Sequence, residues 1–253
     1  MEKTGTLRFG RSVLVAFVWQ NLLLLCSLFI MTLGVALAVR SNLGSSVISS
    51  APLAFTLAGE KGLVPQFSLG IYTNILNCCL VGAQMIVLRR RFEAVQLLQL
   101  LIGFVFGVLI DINMAITSHL DCSSLPMQLL TQILGCTVLG IGIALEVRCG
   151  SITMPGEGLP VAISRITGTP FPKVKIFVDI ALVFVAIVSS YIFFGKWMWN
   201  IVGLGTLFAM VYVGFVVKTV SPHLRWFEKL LAMSGFKRKL YGLARFIGLY
   251  SDK

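Results

Sequence analysis

Charge is what this chain has least of. Only 12% of its 253 residues are Asp, Glu, Lys or Arg, about half of the ~25% usual in a soluble domain. Histidine is nearly missing, with His119 and His223 alone. That excludes an HExxH zinc motif, and neither histidine lies in an apolar run where a proton relay would need it. The six cysteines (Cys26, Cys78, Cys79, Cys122, Cys136, Cys149) contain no CxxC and no Cys/His ligand spacing, so no metal site is expected. GxSxG, P-loop and GxGxxG patterns are absent from any credible strand–turn–helix context. NTP-driven chemistry within the chain is thereby excluded, and neither an enzyme nor a cofactor is expected.

What the chain does have is apolar length. Hydrophobic residues make up 57% of it, and its mean hydropathy is +0.92. Runs that exceed the ~18–20 residues needed to cross a hydrocarbon core of about 30 Å imply an all-α polytopic membrane protein. Six spans are predicted, over residues 12–39, 67–88, 95–117, 126–147, 172–194 and 199–218. The first run is too long for a signal-peptide core of roughly 7–15 residues, so it is expected to remain as a span. Two further segments, 46–58 and 157–166, are too short to cross and read as re-entrant or interfacial helices.

The excess of 21 Lys and Arg over 10 Asp and Glu yields a formal charge of +11. Membrane topology explains it without nucleic acid, because cytoplasmic loops carry the Lys/Arg surplus. If both termini are cytoplasmic, every Lys and Arg except Arg40, Lys61 and Lys196 falls on that side, including the run Arg89-Arg90-Arg91. The reverse orientation would put that run and the basic tail outside. Both termini are therefore expected in the cytoplasm.

The sequence also repeats itself. A shift of 108 positions lays Gly34–Pro52, GVALAVRSNLGSSVISSAP, on Gly142–Pro160, GIALEVRCGSITMPGEGLP. Gly34, Ala36, Leu37, Val39, Arg40 and Pro52 meet Gly142, Ala144, Leu145, Val147, Arg148 and Pro160. Each copy is a helix end, an Arg, a polar loop and a short helix near a Pro. Three spans separate the two arginines, an odd number, so the copies would open on opposite faces. That predicts two inverted three-span repeats, each with one short non-crossing helix, over 12–117 and 118–220, after a cytoplasmic lead at 1–11. If the short helices crossed, the halves would be parallel instead. Inverted repeats recur in secondary transporters, around a site near the midplane.

Charged groups inside spans are costly, which makes Asp111 and Asp179 candidates for substrate binding; Asp179 lies one helical turn from Lys175. The paired Arg40 and Arg148 would hold an anionic group or clamp carbonyls at the C-terminal ends of their own spans. Glu157, in MPGEG, opens the second short helix, where the helix dipole favours a carboxylate; with Glu146 and Arg148 it would form a gating ion-pair network. Asn74, Asn77 and Gln99 read as interhelical hydrogen-bond partners. Gly103 and Gly107 form a GxxxG, a pattern common by chance in such a composition.

From Ser221 the character changes. Leu224, Phe227, Leu230 and Leu231 share one helical face, as do Phe236, Leu240, Leu243 and Ile247, while Lys237, Arg238, Lys239 and Arg245 lie away from it. Residues 221–253 are read as a basic amphipathic tail on the cytoplasmic leaflet, held to anionic lipids.

The stretches GVALAVRSNLGSSVISSAPLAF…GEKG, RRRFE…LLQLLIGFVFGVLID and MPGEGL resemble the YczE/YyaS/YitT-type family of bacterial integral membrane proteins, over roughly residues 20–220. The resemblance implies an inner-membrane protein and brings no substrate and no catalytic residues. The expectation is a secondary transporter or permease for an unidentified small solute, with its pathway between the repeats; a homo-oligomer is compatible with it. The alternative is a non-transporting accessory or assembly protein that binds a partner complex.

Overall fold

In hydrocarbon a backbone N–H or C=O finds no water, so each apolar run must satisfy its own polar groups by coiling into a helix. The computed structural model describes residues 11–149 and 154–224, and its regular elements are all helical: α1 (Arg11–Arg40), α2 (Val47–Glu60), α3 (Leu69–Leu88), α4 (Leu98–Ile116), α5 (Leu125–Cys149), α6 (Pro155–Thr167), α7 (Phe171–Phe194) and α8 (Leu204–Val220). All except α2 and α6 are long and apolar enough to cross a membrane. The 14 residues of α2 and 13 of α6 reach only about 20 Å. The amphipathic tail beyond Leu224 lies outside the described residues, as does the basic lead before Arg11.

Five of the six crossing helices fall close to the expected runs. The sixth begins at Leu204 instead of near 199, for a steric reason. Gly195 ends α7 in the left-handed region, at φ +66°, and residues 198–203 then turn back into the protein, with Ile201 and Val202 buried. There they meet the polar loop after α1: Ser45 N–H donates to Ile201 O at 3.2 Å and Gly205 N–H to Leu43 O at 2.8 Å. Only once these contacts are made does α8 start.

The bundle is built on α1 and α5, which run antiparallel and form its most extensive pair. Small residues allow this. A Cβ added to Gly34 would lie 2.7 Å from Gly135 O, and one added to Gly142 would lie 2.7 Å from Met31 N. Gly34 also faces Leu139, so the contacts Gly34–Leu139 and Gly142–Met31 exchange under the same shift of 108 positions that relates the sequences. The rest of the packing follows suit: α1 lies on α4 as α5 lies on α8, α2 on α7 as α6 on α3, and α2 on α3 as α6 on α7. One pair breaks the pattern. α3 packs along α4, whereas α7 and α8 share no comparable contact.

Large apolar side chains such as Ile86, Leu101, Phe104, Phe177, Ile192 and Val211 point outward. On a membrane protein these form the lipid-facing surface.

Candidate functional site

Polar groups that sequence scatters over four helices converge at the first turn of α6. The turn opens at Pro155, whose fixed φ suits the start of a helix and which has no N–H to leave unpaired. Its N-cap, Met154, offers no side-chain cap. A carboxylate from α5 comes in instead: Glu146 Oε1 accepts from Met154 N–H at 3.1 Å. From α3, Gln84 Nε2 donates to Pro155 O at 3.3 Å and to Gln99 Oε1 of α4 at 3.1 Å. Gly158 lets the two amides come this close, since a Cβ there would lie 2.6 Å from Gln99 Oε1 and 2.8 Å from Gln84 Nε2. Glu146, Gln84 and Gln99 are buried. Even so, Glu146 Oε2, Gln84 Oε1 and Gln99 Nε2 have no hydrogen-bond partner among the described residues.

The same turn faces an ion triad and the other short helix. Glu157 reaches Lys175 Nζ on α7 at 3.4 Å, and Lys175 reaches Asp179 at 2.9 Å. The turn-to-turn pair between Lys175 and Asp179 is the one the i, i+4 spacing predicts. On the opposite side, a Cβ on Gly156 would lie 2.5 Å from Ile48 Cδ1 in the first turn of α2. Ile48 and Gly156 are themselves 108 positions apart, so the two short helices meet at equivalent points. Pro52 and Pro160 also occupy the same place in each helix, five residues after Val47 and Pro155.

The remaining sequence candidates lie elsewhere. Asp111, on α4, caps α3: its Oδ2 accepts from Ser68 Oγ at 2.6 Å and its Oδ1 from Gly70 N–H at 2.8 Å. Arg40 Nη2 donates to Met114 O at 2.8 Å, and Arg148 Nη2 to Ser221 O at 3.1 Å. Each arginine thus clamps carbonyls at the C-terminal end of the last helix of its own half, α4 or α8, and not those of its own span. Once again the partners are equivalent, one residue out of register. Glu157 pairs with Lys175 and not, as the loop sequence suggests, with Arg148. The five charged candidates accordingly divide into four places, and only Glu157 and Asp179 share one.

Between α3 and α4 runs a seam of amides against glycines. Gly70, Asn74, Asn77 and Gln84 of α3 oppose Asp111, Gly107, Gly103 and Gln99 of α4. The GxxxG that composition makes unremarkable is therefore in use, filled by Asn77 and Asn74. Gln99 does bond across helices, as its position in a span suggests, but among the described residues Asn77 leaves both of its amide atoms unpartnered. Sequence reasoning passed over Gln84. The available signal was the seven-residue step from Asn77 to Gln84, two turns along one helical face.

A model described as "Family of unknown function (DUF6198)" matches residues 18–222. Its description differs from the YczE/YyaS/YitT-type family that the sequence resembles, and its extent ends at residue 222, where the basic tail begins. No curated protein and no solved structure matches the chain.

Proposed function

The chain belongs to that family of unknown function, and from this premise we propose that it is a secondary transporter for a small solute, built from two inverted repeats at 12–117 and 118–220. One observation carries the reading. Two helices too short to cross the membrane meet through their first turns inside the bundle, at Ile48 and Gly156, where non-crossing helices of inverted-repeat transporters form their sites. The antiparallel α1–α5 pair and the exchange of helix contacts between halves support it. Its expected place is a bacterial inner membrane, as the sequence resemblance implies, with both termini cytoplasmic, as the Lys/Arg distribution favours.

The repeat is tested by single cysteines in a cysteine-free background, at Lys61 and Thr167. Both positions are exposed and close to the far ends of α2 and α6. An impermeant maleimide applied to intact cells should label Lys61→Cys, and should label Thr167→Cys only after lysis. Labelling of both from one side would end the inverted-repeat reading. Transport itself is tested in proteoliposomes with a mixed panel of labelled amino acids, sugars, nucleosides and organic acids. Saturable uptake above that of empty liposomes is the expected result.

A second reading, a non-transporting accessory protein, draws on the break in the pattern. α7 and α8 lack the packing that joins α3 to α4, and Phe177 of α7, Phe215 of α8 and Trp199 in the turn between them are exposed. Absence of uptake together with a stoichiometric co-purifying partner would favour it.

A further inference from the structure

We propose that Glu146, with the amides of Gln84 and Gln99, forms an internal site for a small monovalent cation, Na+ or a proton, at the first turn of α6. Three observations meet there. The first is unused bonding capacity: among the described residues Glu146 Oε2 and Gln84 Oε1 are buried oxygens without partners, and Gln99 Nε2 is a buried donor without one. Leaving such groups bare is costly, and buried polar atoms in native proteins are nearly always satisfied by protein, water or an ion. The second is convergence: Glu146 is tied to Met154 N–H and Gln84 to Pro155 O, adjacent residues of one chain whose Cα atoms lie about 3.8 Å apart.

The third is charge. Glu146, Glu157 and Asp179 surround this turn, and the Lys175 ammonium is already engaged with Glu157 and Asp179. Arg148 lies two residues from Glu146 on α5, a spacing at which side chains do not face each other, and its guanidinium reaches Ser221 O. Three carboxylates against one ammonium leave an excess of negative charge, with Glu146 buried and the other three groups partly buried, and a buried carboxylate is unfavourable until a cation joins it. A divalent metal does not suit the place, since among the described residues no group of three or more His, Cys, Asp or Glu is set to hold one. A monovalent ion needs only the carboxylate, amide oxygens and water. The amide NH2 of Gln99 would then donate to water beside the ion.

As a binding site this stands independently of transport; as the coupling-ion site it rests on the transporter reading. The test uses the full-length wild-type protein in liposomes and dicyclohexylcarbodiimide, which modifies buried carboxyl groups in their protonated form, with the adduct mapped by peptide mass spectrometry. Glu146 should be modified. For a sodium site, NaCl at ten times its dissociation constant, against choline chloride at equal ionic strength, should slow the modification about tenfold by mass action. For a proton site, modification should ignore Na+ and fall as pH rises. The same cation should shift the thermal midpoint of the wild type and leave that of Glu146→Gln unmoved. Glu146 left unmodified throughout, or modified at one rate whatever the Na+ and pH, would overturn the proposal; the wild-type readout does not depend on the variant folding. Cation protection without solute uptake would keep the site and remove the transporter reading. Uptake without cation protection at Glu146 would do the reverse.

Discussion

Gly34→Val should deprive the protein of its folded state in detergent, or lower its thermal midpoint by about 6–12 °C, corresponding to a loss of roughly 3 kcal/mol or more. The reason lies in what a Cβ at Gly34 would meet. Its nearest neighbours are backbone atoms, Leu139 N and then Gly135 O and Leu139 Cα at 2.7 Å, closer than real Cβ atoms approach. A clash with a side chain can be relieved by a rotamer change, whereas a clash with backbone can be relieved only by moving α1 away from α5. In lipid, where helices associate through close packing and not through exclusion of water, such a separation removes the contacts that hold the central pair together. Gly142→Val should behave alike, against Met31 N at 2.7 Å. Gly82→Val is the control: a Cβ there meets nothing within 4 Å, so its midpoint should stay within about 2–4 °C of wild type, the helix-propensity change being under ~1 kcal/mol. Fluorescence-detected size-exclusion melting of the three variants checks this. If Gly34→Val and Gly82→Val melted together, close packing of α1 on α5 would not be what holds the bundle.

Asp111→Ala ranks next, at about 1–3 kcal/mol. It removes both acceptors of the α3 N-terminus, for Ser68 Oγ and for Gly70 N–H, and it withdraws a carboxylate from the end of a helix where the dipole favours one. Hydrogen bonds between helices in membranes average only ~0.6 kcal/mol. The larger figure comes from leaving a helix-terminal N–H without an acceptor. Asp111→Asn should recover much of the loss, because its carbonyl can still accept from Gly70 N–H and its NH2 can donate to Ser68 Oγ. A melting order of wild type, then Asn, then Ala is expected. Equal melting of Asn and Ala would mean that the charge itself, and not the pair of acceptors, is what α3 needs.

Asp111 illustrates the limit of reading a span by its charges. An aspartate two-thirds along an apolar run invites a substrate or proton role, and nothing local distinguishes that from a cap on a neighbouring helix. The neighbour lies 41 to 43 residues away in sequence, and its N-terminus happens to stop beside α4. Arg40 and Arg148 carry the same lesson: their partners are helix ends 74 and 73 residues further on. Glu146 is the opposite case. Near the end of its span it looks like an interfacial residue, yet the re-entry of the chain at Met154 buries it. Gln84 gave still less warning, being one uncharged residue near the end of a moderately polar span. What buries it is α6 packing across α3, with Gly158 admitting both amides.

The sequence by itself determined the number of the crossing helices, their placement except for the start of the sixth, the two short ones and the duplicated element. These follow from local quantities: apolar length measured against bilayer thickness, and a residue pattern recurring at one shift. Only the tertiary structure decided which polar groups share a place. Whether a carboxylate caps a helix, pairs with lysine or waits beside unpartnered amides depends on where helix ends and short helices stop in space. Packing between elements distant in the chain sets those positions, through glycines that permit backbone contact and through a loop, 41–46, that seats against residues 201–205.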